Sequence, residues 1–261
     1  MARAIWKAVV RVGSEAVPVK LYSAVQDRGI HFRLLHEKDL EPVKQRMVNS
    51  ITGEEVPRER IRKGYEAEPG VFVILEDEEL AELEPAPSRD VEITRFVDPI
   101  HIDHQWYDRP YYLGPDGDDT AYAALVKALA AESTEGVARW TMRKKRYIGA
   151  LRADGEHLAL ITLRHTQEVV PAAALEPPGG RALDEREVAM ARQLVGALEA
   201  DFDPSEYHDE YRERVLALIE AKAQGRALEL QRPRRRKAQK SLADALEASL
   251  RSARKEKGRA A

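Results

Sequence analysis

The run Pro177-Pro-Gly-Gly180 divides this sequence into two regimes of hydrophobic spacing, and that division limits its possible folds more than any other feature. Ahead of it, apolar residues recur at every second position, the period of a strand with one buried face. Behind it they recur every three or four, the period of a helix. The expected class is therefore mixed β and α, mainly β. A β body is expected over 1–180, a helical arm over 181–225 and a basic tail over 226–261.

The β body reads as follows. Trp6, Ala8, Val10 and Val12 alternate with polar residues, Gly13-Ser-Glu-Ala turns the chain, and Val17, Val19 and Leu21 align again, so this is a hairpin. Pro18 confines its second strand to an edge or to the first residues of the strand. His31–His36 is expected as a short strand. From Glu37 to Tyr65 apolar residues are sparse, too long a stretch for an ordinary loop in a compact domain, and a projecting hairpin is expected over about 37–65. Val71–Leu75 is a fully apolar strand, and Asp77–Leu83 begins as a short helix with acids in its first turn. Val91 and Ile93 alternate in a further strand that extends to Arg95, and Tyr111–Leu113 is a strand fragment. Asp118 or Asp119 caps a helix over about 120–131. Residues 136–152 carry six basic side chains and no acidic one. With His157–Arg164 they form a three-strand meander whose first turn holds Arg143, Lys144, Lys145 and Arg146, with Arg139 on the preceding strand.

In the arm, Asp184 with Glu187 is a capping box, Leu183 against Val188 is the matching apolar staple, and Val188, Ala191, Leu194, Val195 and Leu198 form a buried stripe. Asp203-Pro-Ser-Glu206 is a second box, opening a helix that carries Tyr207, Tyr211, Val215, Leu218 and Ile219 and stops at Gly225. In the tail, Arg232, Arg234, Arg235, Arg236 and Lys237 precede a short amphipathic helix around Leu242, Leu246 and Leu250.

Charge matters once it is divided. The net charge is −3, but residues 231–261 hold 11 Lys and Arg against 3 Asp and Glu, leaving 31 against 42 for the rest. A basic tail behind an acidic body seeks a polyanion while repelling it everywhere except at chosen patches. No apolar run is long enough to span a bilayer and the first residues lack a secretion-signal layout, so a soluble intracellular protein without membrane partners is expected. With no cysteine, disulfides, thiol nucleophiles and thiolate metal sites are excluded. His101-Ile-Asp103-His104 has ligand-type residues, but in a strand His104 faces away from the other two, so neither a metal nor a metal-dependent nuclease is favoured. Asp116-Gly-Asp118-Asp119 lacks the glycine and glutamate that a calcium loop requires. No nucleophile elbow, Walker glycine loop or dinucleotide fingerprint occurs. No catalysis and no cofactor are expected.

Seven collinear segments remain: Arg3-Ala-Ile-Trp6, Val17-Pro-Val-Lys-Leu-Tyr-Ser23, Phe32-Arg-Leu-Leu-His36, Gly64-Tyr-Glu66, Arg109-Pro-Tyr-Tyr-Leu113, Ala138-Arg-Trp140 and Asp201-Phe-Asp-Pro-Ser-Glu-Tyr207. In order and spacing they resemble the bacterial Ku family, the end-binding proteins of non-homologous end joining, from Arg3 to about Gly225.

The resemblance implies a homodimer of β-barrel subunits whose projecting hairpins close a ring around linear double-stranded DNA ends, in the cytoplasm at the bacterial nucleoid. It implies recruitment of DNA ligase D, with Leu242, Leu246 and Leu250 as the docking face of the tail. Lys44, Arg46, Arg58, Arg60, Arg62 and Lys63 become candidate phosphate contacts, beside Arg139, Arg143, Lys144, Lys145 and Arg146, with the basic tail residues as further DNA contacts. Where many relatives carry cysteines, some spaced for zinc, this chain has Asn49-Ser-Ile-Thr-Gly53, so no zinc is expected there. Two rival readings stay open: a metal-dependent nuclease or phosphoesterase that uses His101, Asp103 and His104, and a basic-tailed chromosome-organising protein that binds duplex DNA anywhere along its length.

Overall fold

A computed structural model describes residues 3–176, 179, 180, 182, 184–225, 246, 247, 249 and 251. The chain forms two compact units, 1–174 and 175–261.

The first unit is built on a closed seven-stranded barrel. Its strands are β1 (Trp6–Val12), β2 (Glu15–Ser23), β5 (Asp90–Val97), β6 (Tyr107–Pro115), β7 (Glu135–Met142), β8 (Lys145–Asp154) and β9 (His157–Leu163), in the order β1-β2-β6-β9-β8-β7-β5. The barrel that the resemblance implies is therefore present. Every pairing is antiparallel except the last, where β5 runs parallel to β1 with Val10 opposite Val91 and closes the ring. Alternation decides which side chains fill the interior: Ala8 and Val10, Val17, Val19 and Leu21, Ala138, Trp140 and Met142 all point inward and are buried. Pro18 sits in β2 opposite Val9, but the β2–β6 ladder begins only at Val19, so the missing N–H of Pro18 faces a position where no bond is required.

Helix α2 (Asp119–Glu132) packs against the barrel. Asp118 caps it, accepting from the Ala121 N–H at 2.9 Å, and Tyr122, Val126 and Leu129 are its buried stripe. The Tyr122 hydroxyl donates to the Leu113 carbonyl and accepts from the Leu158 N–H at 2.9 Å, pinning the helix to β6 and β9. Glu135 is the one buried acid of the described residues. It accepts from the Tyr107 hydroxyl at 2.7 Å and faces Arg152 at 3.5 Å. Burial, reinforced by that carboxylate, pushes the Tyr107 hydroxyl above its ordinary pKa, so it stays protonated and keeps donating.

Between β2 and β5 the chain leaves the barrel for an insertion over 24–89. It contains β3 (Lys63–Glu68) and β4 (Val71–Leu75), which pair only with each other, and α1 (Asp77–Glu82). The excursion expected at 37–65 is thus longer at both ends. His31–His36 is not a strand: Leu35 makes one isolated bridge to Pro42 and no ladder continues it, leaving Phe32 and Leu34 about two-thirds exposed. Val71–Leu75 is a strand, but its apolar residues lie open on both faces because the two-stranded sheet rests on no core.

In the second unit, α3 (Glu185–Leu198) has the expected capping box: Asp184 accepts from the Glu187 N–H at 2.8 Å, and Glu187 accepts from the Asp184 N–H at 3.1 Å. Its stripe is not buried, since no residue of this helix reaches full burial and Val195 and Leu198 are exposed. Leu183 lies outside the described residues. The second box is also corrected. Asp203 caps only a 3-10 turn, Pro204–Glu206, after which Tyr207 is extended, its ring tilted against that of Phe202 with centroids 5.4 Å apart. The helix α4 (Glu210–Ala223) begins later, capped by Asp209, and ends as expected at Gly225 with φ +68°.

Trp140 and the Ile161 carbonyl leave no room for a side chain at Gly149. Trp140 stacks on Tyr147 at 5.4 Å and lies over Gly149, where a Cβ would come within 2.7 Å of the indole and 2.6 Å of the Ile161 carbonyl. The Gly149→Ala variant is expected to lose at least about 1–3 kcal/mol, because neither a strand carbonyl nor a stacked indole can give way. Urea denaturation checks this, with a denaturation midpoint equal to that of the parent chain as the contrary result.

Candidate nucleic-acid interface

The basic residues fall into three groups in the first unit. Arg46, Arg58, Arg62 and Lys63 line one groove of about 870 Å³ in the insertion. Pro57 precedes the 3-10 turn Arg58–Arg60, which leaves both arginines exposed and without an ion pair among the described residues. The others are engaged: Arg46 with Glu55 at 2.6 Å, Arg62 with Glu76 at 3.7 Å, and Lys63 with Asp77 at 2.8 Å. The Lys63 ammonium holds the Asp77 carboxyl below the usual carboxylate range, first through their hydrogen bond and then through charge. Lys44 is exposed on the same insertion with no ion pair among the described residues.

The second group stands on the outer face of the barrel. Arg139 lies between inward-pointing Ala138 and Trp140, so it faces out, in one cross-strand row with Arg11, Glu92 and Ile148. Arg146 is paired with Thr141 beside it. Arg139 and Arg146 share a groove of about 860 Å³ with Arg11, which is tied to Asp90 at 2.9 Å. Arg139 also borders a smaller groove of about 400 Å³ with Arg95, Arg164 and His101, and no carboxylate lines it.

Arg95 and Arg164 were not among the sequence candidates. The sequence aligns Arg95 with inward-facing Val91 and Ile93, but a bulge between Ile93 and Arg95 shifts the register and turns Arg95 out. An arginine where the pattern demands an apolar residue was the available signal. Arg164 is braced by Asp108 at 3.1 Å and by the Gln105 and Tyr107 carbonyls.

The third group is the β7–β8 turn. Met142 pairs with Lys145, leaving Arg143 and Lys144 as a two-residue loop with φ +49° and +67°. That is the backbone of a primed turn, which favours Asn-Gly. Each bulky residue there costs about 1–2 kcal/mol. Lys144 pairs with Glu84 at 2.9 Å, whereas Arg143 has no ion pair among the described residues. Lys145 is exposed on the first position of β8.

Of the tail candidates, Arg232, Arg234, Arg235, Arg236, Lys237, Leu242 and Leu250 lie outside the described residues. Leu246 is helical, beside a Glu247–Arg251 pair at 2.7 Å. His101 and His104 are not in a strand: each ends or begins a 3-10 turn, Pro99–His101 and His104–Trp106, with Asp103 between them. Among the described residues no group of three or more His, Cys, Asp or Glu is placed to hold a metal ion, and no helix is long and apolar enough to cross a membrane.

A closed barrel with a long insertion between β2 and β5, carrying exposed arginines, defines a class of scaffold, and comparison with known proteins names it. A family model described as the Ku70/Ku80 beta-barrel domain matches residues 12–190. The chain is 38% identical over 248 residues to the non-homologous end joining protein Ku 2 of Geotalea uraniireducens, covering 94% of this chain and 96% of that one. It is 40% identical over 258 residues to the non-homologous end joining protein Ku of Anaeromyxobacter sp. strain K, covering 98% and 87%. With the protein of the same name from Pseudomonas aeruginosa it shares 37% over 227 residues, covering 85% and 78%. The chain belongs to the Ku family.

The Tyr122 hydroxyl ties α2 to two strands of this scaffold. Tyr122→Phe strands a buried carbonyl and a buried N–H at once, so a loss of about 1–3 kcal/mol in thermal or urea unfolding is the expected outcome.

Proposed function

We propose that this chain is a non-catalytic DNA-end-binding protein of non-homologous end joining, acting as a homodimer that encircles linear double-stranded DNA and recruits an ATP-dependent DNA ligase D. The observation that carries this reading is the insertion. Its β3–β4 sheet exposes Tyr65, Val71, Phe72, Val73 and Ile74 to solvent, roughly half or more of each side chain. A two-stranded sheet is marginal by itself, and an open apolar patch with free strand edges marks an interface. A second copy supplies the same patch in return, as a two-fold interface requires. The apolar stripe of α3, unburied in the single chain, serves the same dimer.

The chemistry of the cations supports DNA as the ligand. Recognition of an end without sequence preference requires contacts to phosphate and sugar only, and strand and turn arginines supply them. Ion pairing sorts the candidates. Lys44, Arg58, Arg60, Arg139, Arg143, Lys145 and Arg146 are the proposed phosphate contacts, joined by Arg95. Arg46, Arg62 and Lys63 already neutralise acids of the insertion and contribute less. The acidic remainder of the body repels DNA from other surfaces and focuses it on these residues.

Three measurements test the reading. Linear duplex should be bound and covalently closed circular duplex ignored; equal competition by the circle favours a chromosome-organising protein instead. Reversing Arg58 and Arg60 to glutamate should remove end binding at moderate salt while sedimentation still reports the dimer; unchanged affinity takes these two residues out of the interface. Deleting 231–261 should keep end binding but reduce stimulation of the ligase, whereas full stimulation by the truncated chain places the docking face elsewhere.

A further inference from the structure

The insertion leaves the barrel after Ser23 and rejoins it at Arg89, whose carbonyl accepts from the Val9 N–H at 2.8 Å. Glu84 adds a side-chain link between the two. It follows α1 and places both carboxylate oxygens on the Lys144 ammonium, at 3.0 and 2.9 Å. Lys144 belongs to the β7–β8 turn, so this pair joins the returning limb of the insertion to the far side of β5. A groove of about 590 Å³ lies between them, lined by Trp6, Pro85, Pro87, Met142 and Arg143.

Two features show that the pair is built into the turn. Asn-Gly would fit the backbone of Arg143 and Lys144 without strain, but it carries no ammonium to reach Glu84. On the other side, Pro85 and Pro87 fix their own φ angles, so the limb between Glu84 and Arg89 is stiff. A stiff limb held at one end by a backbone bond and at the other by a two-oxygen ion pair has little freedom to swing.

We infer that Glu84 is a positioning residue: it keeps Lys144 off the DNA and uses it as a strut that sets the returning limb of the insertion against the barrel. Lys144 is thus the basic residue of the turn that does not neutralise a phosphate, although the sequence groups it with its neighbours. The part of this inference that concerns DNA rests on the end-binding reading above; the strut does not.

Two readouts on the full-length chain test it. Amide hydrogen exchange at Glu84, whose N–H bonds to the Ala81 carbonyl, and at Val9, whose N–H bonds to the Arg89 carbonyl, should accelerate roughly twofold to fivefold without DNA in Glu84→Gln and in Lys144→Met, and no further in the double variant, as for one exposed ion pair. Exchange unchanged in either single variant overturns the strut. The slope of log affinity against log salt for linear duplex should be the same for Lys144→Met and the parent. It should steepen by about 0.9 in Glu84→Gln, an additional loss of about 3.5-fold between 50 and 200 mM salt, and return to the parent value in the double variant. A shallower slope for Lys144→Met, or an unchanged one for Glu84→Gln, overturns the masking. A parent chain that fails to bind linear duplex sinks the end-binding reading and leaves the exchange result to stand by itself.

Discussion

The parallel pairing of β1 with β5 is the constraint on which the rest of the first unit depends. It is the only parallel contact in the barrel, and it closes a sheet that would otherwise expose two edges. Parallel neighbours cannot be joined by a tight turn, so the chain must travel before β5 can lie beside β1. The route runs through β2 and then through the insertion. Since β2 and β5 both border β1, the insertion starts and finishes on either side of the same strand. A long excursion with its feet so placed costs little in closure entropy, which grows only slowly with length.

The interior follows from the same closure. Inward positions on every strand must fill a space of fixed size, and the chain does so with valines and leucines plus one large ring pair, Trp140 on Tyr147. Gly149 makes room for that indole, whose Nε1 stays buried without an acceptor among the described residues. Polar satisfaction is otherwise complete at the points that matter: Tyr122 bridges α2 to two strands, and Tyr107 holds the buried Glu135. On the surface, Asp116 accepts Lys7 and Lys20 together, and the hydrogen bond from Lys20, foremost, holds its carboxyl below the ordinary range. That small stabilisation is present at neutral pH and is lost only as pH falls through the lowered value.

The sequence was legible wherever one face of an element is buried by its own unit. The β1–β2 hairpin, the meander from β7 to β9 and α2 with its Asp118 cap all follow from local chemistry and a regular period, while the Asp184 box of α3 follows from local chemistry alone. Where burial comes from elsewhere, the signal failed. Phe32 and Leu34 look like strand residues but have no ladder, and Val71–Leu75 looks like core but lies open. The Asp203 box has every residue that a helix start requires, yet Tyr207 takes an extended backbone and the helix waits for Asp209. The basic residues were legible as a set and not as individuals. Nothing near Arg46, Lys63 or Lys144 in sequence reveals that Glu55, Asp77 and Glu84 engage them, nor does alternation show that a bulge swings Arg95 outward.

The placement of the insertion's feet has a consequence for how such a protein can change over time. The barrel's hydrogen-bond circuit runs from strand to strand without entering residues 25–88. Growth or replacement of that stretch therefore alters no hydrogen bond between barrel strands, provided it still spans from β2 to β5. The reach of that excursion is a dimension that selection can lengthen or shorten independently of the wheel that carries it.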